Sequence, residues 1–401
     1  MAKLLWTQKQ DMGPMPREQH AMAYDSARMR TVMFGGFSDS GDPLGDTWEW
    51  NGEFWTQVAD IGPASRGSHA MAYDAARGQT IQFGGEFLPL GEGTPSGDTW
   101  AWDGQAWTQV ADTGPAARGG CSMAYDSGRQ RVVLFGGKGN TDTWEWDGSD
   151  WTQTANDGPS SRTAASMAYD NIRARIVLFG GAADTVTLFN ETWEFNGDAW
   201  TRVADTGPQP RDEAAMVFAG TRTILFGGFN LSTAKAQATL GTLKDTWEWS
   251  GKFWTQRQNI GPRDRGAHQM VYDFARDRVV MFGGVSFITG PAQISVRLND
   301  TWELPGNSIT LTGLTVPTPL VAEGKATVSL SGPSPIGGIT VSLSAKGPVD
   351  VPAAVTVTEG KESAVFPIIP KSFDPTQFVP GVLTATLGTS TASVELLIGA
   401  P

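Results

Sequence analysis

The 401-residue chain holds one cysteine, three histidines and five tyrosines, and only 18% of its residues are charged. A single thiol, Cys121, cannot close an internal disulfide, so cysteine usage leaves the redox compartment open. No run of about 18 apolar residues occurs, which excludes a hydrophobic membrane-spanning helix. The opening Met-Ala-Lys-Leu-Leu-Trp is too short for a signal peptide. Basic residues are in deficit: 30 against 42 acidic, a formal net charge of −12, which argues against nucleic acid or an anionic membrane as partner. Gly-rich phosphate loops, a nucleophile elbow, His-Glu-x-x-His and an EF-hand loop are all missing, and Asp39-Ser40-Gly41-Asp42 is only weakly calcium-like. No cofactor is expected.

Glycine (49) and tryptophan (16) are abundant instead, a profile of many tight turns and large buried rings that suggests an all-β chain. The length predicts two or three domains, each large enough to bury its own core.

Self-similarity dominates residues 1 to about 305. Phe-Gly-Gly recurs at Phe34, Phe83, Phe135, Phe179, Phe226 and Phe282, with spacings of 49, 52, 44, 47 and 56. Each is followed by an acid, Thr and Trp, beginning at Asp46, Asp98, Asp142, Glu191, Asp245 and Asp300, and preceded by an arginine and an apolar run ending in or near Tyr-Asp. Each unit reads as four strands. Strand a is the Met-Ala-Tyr-Asp run; strand b ends at the double glycine. Strand c is Asp-Thr-Trp-Glu-Trp, and strand d begins at Trp55, Trp107, Trp151, Trp200 or Trp254. Asn-Gly, Asp-Gly or Ser-Gly turns join c to d, because a tight reversal there needs a positive φ. The fifth unit has a tighter a–b turn at Ala219-Gly220. The sixth lacks a strand d, and Lys3-Leu4-Leu5-Trp6-Thr7-Gln8 at the N-terminus matches that pattern. The N-terminal strand is therefore expected to complete the last sheet and close a ring, which removes open sheet edges.

The double glycine after strand b, Trp in strands c and d and the Pro-x-x-Arg or Pro-Arg entry to strand a make residues 1–305 resemble the kelch-repeat family, as in the central domain of galactose oxidase. The resemblance implies a six-bladed β-propeller.

From about Asn307 onward the chain has no Trp, Tyr, Arg, His or Cys. Alternating β-branched runs such as Thr327–Leu330, Ile339–Leu343, Val355–Val357 and Ser393–Leu397 predict about seven strands in residues 306–401, a β-sandwich. This segment looks like the bacterial immunoglobulin-like modules appended to exported proteins. That likeness implies an extracellular, periplasmic or cell-surface location and a spacer role.

Arg17, Arg66, Arg118, Arg162, Arg211 and Arg265 should ring one mouth of the channel. Six acids at the start of strand c match them, so inter-blade ion pairs are the expected use rather than an anion site. His20, His69 and His268 each lie three residues after such an arginine, in blades that become neighbours on closure, and Cys121 fills the same slot. A repeat slot explains them better than a three-histidine metal site, and Cys121 reads as a buried, inert thiol.

The informative signal is asymmetry. Directly after the arginine, blade 1 has Glu18 and blade 5 has Asp212-Glu213, where the other blades have glycine or threonine. The b–c loops are 9, 12, 4, 9, 16 and 15 residues long, the two longest in blades 5 and 6. Function tends to sit on variable loops over a rigid scaffold. The b–c and d–a loops share a face in kelch propellers, so a ligand site is expected there, in the blade 5–6–1 sector, drawing on Arg17, Glu18, His20, His69, Arg211, Asp212, Glu213, Arg265 and His268. A copper-radical oxidase is excluded, because all five tyrosines occupy one repeat slot and none lies in an insertion. A non-catalytic scaffold presenting loops to a protein or glycan partner is the leading expectation. The alternative is a carbohydrate-acting enzyme, in the manner of the six-bladed sugar mutarotases, using Glu18, His20, Arg17 and Glu213 for acid–base chemistry.

Overall fold

A computed structural model describes residues 5–10, 13–88, 93–155, 157–232, 239–258, 260–288, 294–306, 309–332, 334, 338–371, 377–388 and 390–399. The chain divides into two compact units, Met1–Asn307 and Ser308–Pro401. No helix is long and apolar enough to cross a membrane among the described residues.

The first unit is built of six four-stranded antiparallel sheets. In blade 1 the strands are Ala21–Asp25 (a), Arg30–Phe34 (b), Thr47–Trp50 (c) and Trp55–Ala59 (d). Blades 2 to 5 repeat this order, with strand a at Ala70–Asp74, Ser122–Asp126, Ser166–Asp170 and Ala215–Ala219. In blade 6, strands Gln269–Asp273, Arg278–Phe282 and Thr301–Pro305 are completed by Thr7–Gln10, with Thr7 opposite Glu303 and Gln8 opposite Trp302. The expected closure is therefore made by the N-terminal strand, although Lys3 and Leu4 lie outside the described residues. Strand a of blade 6 lies beside strand a of blade 1, so the innermost strands form a complete circle.

The core lies between blades. Six apolar clusters each draw on two neighbouring blades; the 5–6 cluster includes Trp6. Each strand d tryptophan stacks on the Phe-Gly-Gly phenylalanine of the preceding blade, at 5.2–5.4 Å in all six cases, from Trp55 on Phe282 to Trp6 on Phe226. The same indole donates its N–H to the strand c threonine hydroxyl of that blade, as Trp107 does to Thr47 at 2.9 Å and Trp6 to Thr246 at 3.3 Å. The glycine of each d–a loop makes room for it: a Cβ on Gly62 would stand 2.6 Å from Trp107.

The two tryptophans of strand c differ. Trp50, Trp102, Trp146 and Trp249 are fully buried, whereas the first of each pair, Trp144 included, is only partly so and donates its N–H to the acid two residues before it. The second position is thus the core one. Two residues apart on one strand, both side chains share a face of the blade; the first lies beside the partly exposed strand c acid, the second within the blade-to-blade core.

Among the described residues the second unit carries eight strands rather than about seven, in two four-stranded sheets around one core that includes Val328, Val341, Phe366 and Leu383. The eighth is the two-residue Val349–Asp350, too short to register as an alternating pattern.

Candidate functional site

The mouth on which the b–c loops open is built from the arginine that precedes strand a. In each blade this side chain is almost wholly buried, at 0–2% exposed, and donates to the carbonyl of the first glycine of Phe-Gly-Gly and to the strand c acid. Arg17–Asp46, Arg66–Asp98, Arg118–Asp142, Arg211–Asp245 and Arg265–Asp300 are forked pairs at 2.5–3.0 Å; Arg162 reaches Glu191 through one nitrogen at 3.0 Å. Burial pushes Asp98 up, but hydrogen bonds from Arg66, Ser96 and Trp100 outweigh it and hold the carboxyl down to about 2.

These ion pairs lie within a blade, which corrects the inter-blade pairing expected from the sequence. The arginine's backbone makes the inter-blade link, as when Gly36 N–H donates to the Arg66 carbonyl at 2.9 Å. Gly35 and Gly36 adopt φ of 66° and 99°, and a Cβ on Gly35 would stand 2.5 Å from that same carbonyl oxygen. Arg17, Arg211 and Arg265 thus have their donors occupied by the framework.

Two residues beyond each arginine the chain turns through the left-handed region: Gln19, Ser68, Gly120, Ala164, Glu213 and Ala267 have φ between 47° and 66°. Their amides form a closed circle. Ser68 donates to Gln19, Gly120 to Ser68, Ala164 to Gly120, Glu213 to Ala164, Ala267 to Glu213 and Gln19 to Ala267, at 2.8–3.0 Å. A left-handed conformation costs an L-residue about 1–2 kcal/mol, and the hydrogen bond gained at each position offsets it. The circle rims the channel and fixes where each neighbouring side chain starts.

His20, His69 and His268 lie on the channel side of this circle, fully buried, each edge-on to the phenylalanine of the preceding blade at 5.3–5.6 Å. Burial keeps all three neutral and depresses His69 to about 3. They line a cavity of about 130 Å³ together with Gln19, Ser68 and Glu213. No group of three or more metal-capable side chains forms among the described residues.

On the loop side of the circle lies a larger cleft, about 400 Å³, lined by residues of blades 1, 4, 5 and 6. Glu18, Asp212 and Glu213 converge here with Asp184, Phe229 and Phe287. The b–c loops of blades 5 and 6 form hairpins, Phe229–Ser232 with Thr239–Thr242 and Val285–Ile288 with Ile294–Arg297, that wall one side. Arg297 on the second hairpin grips Glu18 at 2.5 and 2.9 Å. Ser68 donates to Gln19 at 3.0 Å, and Gln19 donates to Glu213 Oε1 at 2.8 Å.

Electrostatically this spot stands apart. Among the described residues, the carboxyls held above their ordinary range are Glu18, Asp212 and Glu213, and every other shifted carboxyl is lowered. Burial lifts Asp212 to about 6 and, reinforced by the charges of Asp212 and Glu18, pushes Glu213 well up. Asp212 Oδ1 and Glu213 Oε2 are shut off from solvent with no hydrogen-bond partner. Perturbed acids in a cleft are a recognised mark of function.

Of the nine candidates, then, Glu18, Asp212 and Glu213 meet in the cleft, the three histidines lie beneath it, and the three arginines serve the framework. Sequence reasoning missed Gln19, Asp184 and the two phenylalanines. Gln19 carried a signal, since its slot is polar only in blades 1, 2 and 5; Asp184 sits in an unremarked loop.

No curated protein matches the chain. Among solved structures, the "Structure of YjhT" superposes with a TM-score of 0.56 at 14% identity, covering 72% of this chain and 95% of that one, a likeness that shows the fold. Residues 139–318 match the KLHDC2/KLHL20/DRC7 Kelch-repeats domain. Six alike blades closed by the N-terminal strand make the first unit a six-bladed β-propeller, and the match over residues 139–318 is to a Kelch-repeats domain.

Proposed function

We propose that the propeller is a non-catalytic binding module that takes a protein or glycan partner at the b–c loop mouth, in the cleft over blades 4, 5, 6 and 1. The cleft itself carries this reading: about 400 Å³, with unsatisfied acceptor atoms at its base, on the face where the loops are longest and least alike. Everything below it is rigid, since arginines, glycines and amides at the mouth are committed to one another. A preformed site of this kind binds with little ordering cost.

The test is a hairpin exchange. Replacing Val285–Asn299 of blade 6 by the four-residue blade 3 loop Lys138–Thr141 removes one wall of the cleft. Peptide display and glycan arrays on the full chain should yield ligands that the exchanged variant, checked for an unchanged melting profile, no longer retains. Ligands retained equally by both would refute the assignment.

A second reading is favoured by one observation: Asp212 and Glu213 are adjacent acids held above their ordinary range, as a general acid acting on a sugar would be. Sugar anomerisation or cleavage by the wild type, lost in Glu213→Gln, would establish an enzyme and displace the binding module.

A further inference from the structure

The lining of the cleft is one-sided. Four carboxylates, Glu18, Asp184, Asp212 and Glu213, and no lysine, arginine or histidine are found among the described residues that line it. Two of the four already have their counterparts. Glu18 is clasped by Arg297, and Asp184 Oδ1 accepts the N–H groups of Val186 and Thr187 at 2.9 and 2.8 Å. Asp212 and Glu213 do not. Gln19 satisfies Glu213 Oε1, while Glu213 Oε2 and Asp212 Oδ1 are buried acceptors without a donor.

A buried acceptor left bare carries a desolvation cost that a donor from outside removes. Burial and mutual repulsion favour the protonated form of this adjacent pair, and a donor that is itself positive lets both ionise, whereas a neutral hydroxyl leaves the repulsion in place. Beside them Phe229 and Phe287 stand with ring centroids 5.4 Å apart and planes 32° apart, an apolar wall suited to an aliphatic stem or a guanidinium plane. A long flexible stem with a cationic tip matches both features. Sugar rings, rich in acceptors as well as donors, match the acid floor less well.

Resting on the binding reading above, we propose that the cleft receives a lysine or arginine side chain of a protein partner, its cationic head between Asp212 and Glu213 and its stem along Phe229 and Phe287.

Calorimetric titration of the full chain with Nα-acetyl-arginine amide, Nα-acetyl-lysine amide and the neutral isostere Nα-acetyl-citrulline amide tests this. Arginine and lysine amides should bind at least tenfold more tightly than the citrulline compound, and Asp212→Asn and Glu213→Gln should each weaken them tenfold or more without lowering the melting temperature. Citrulline binding as tightly, or neutral variants binding as well as the wild type, would overturn the proposal. Glucosamine binding more tightly than both amino-acid amides would move the cation to a glycan and overturn the protein source. A partner lost on hairpin exchange yet indifferent to both neutral variants would leave the binding module standing and remove this inference alone.

Discussion

Blade 2 departs from its neighbours at one buried position, and restoring the usual residue should stabilise the propeller. In blades 1, 3, 4 and 6 the residue between the two aromatic positions of strand c is a glutamate, which accepts from the arginine of its own a–b turn: Arg28–Glu49 and Arg173–Glu194 at 2.7 Å, Arg129–Glu145 and Arg276–Glu303 at 2.5 Å. Glu49 and Glu194 also accept the indole N–H of the following blade, from Trp102 at 3.2 Å and Trp249 at 3.0 Å. Blade 2 has Ala101 there, 2% exposed. Arg77 accordingly pairs with Asp74 without a strand c acid, and Trp146 Nε1 is buried with no acceptor. Ala101→Glu offers both donors a carboxylate. Two hydrogen bonds to a charged group contribute about 1.5–3 kcal/mol each. Fixing the glutamate side chain costs up to about 2 kcal/mol and desolvating its charge a few more. The balance is a gain of about 1 kcal/mol, which for a unit of this size is a rise in melting temperature of about 2 °C. Scanning calorimetry of the full chain reads this directly. A double-mutant cycle with Trp146→Phe isolates the indole share, since Phe195 already fills the equivalent place opposite Glu145, and the coupling should be about 0.5–1 kcal/mol. A fall in melting temperature, or a gain unchanged when both Trp146 and Arg77 are replaced, would refute the reasoning.

Three further outcomes are expected. Trp6→Ala, which removes a ring 7% exposed and stacked on Phe226, should cost about 3–5 kcal/mol, and deletion of residues 1–8 should lower the melting temperature by many degrees; an unchanged melt would mean that the ring does not depend on its N-terminal strand. Asp212→Asn should raise stability at pH 8 by about 2 kcal/mol and leave it unchanged near pH 3.5. Burial lifts this carboxyl to about 6, so the folded protein holds the proton more tightly than the unfolded chain, and the wild type loses that advantage as pH rises from about 4 through 6. Superimposable pH–stability curves would contradict it. Cys121, buried and pushed up to about 12 by desolvation, should ignore a disulfide reagent in the native protein and react fully in denaturant, with fast native labelling as the contrary result.

The number of blades, the strands within each and their closure by the N-terminal segment were legible in the residues, because a repeat reports its own period, and Glu18 and Asp212-Glu213 stood out by breaking it. Even so, the acid, threonine and tryptophan of strand c gave no hint of their division of labour: the acid serves the arginine and the indole of its own blade, and the threonine serves the strand d indole of the next. Blade-to-blade contacts join residues far apart in the chain, from Gly36 with Arg66 to Trp6 with Thr246, and no local pattern encodes them.

Sequence alone settled which residues recur and which do not, since strand periodicity and turn chemistry are local properties of the chain. Only the tertiary structure decided what the exceptions do. Once six blades close on one another, each arginine that precedes a strand a has its side chain spent within its own blade, and the six amides two residues beyond are committed to the hydrogen-bonded circle. Asp212 Oδ1 and Glu213 Oε2 are then left at the rim as buried acceptors with nothing to accept.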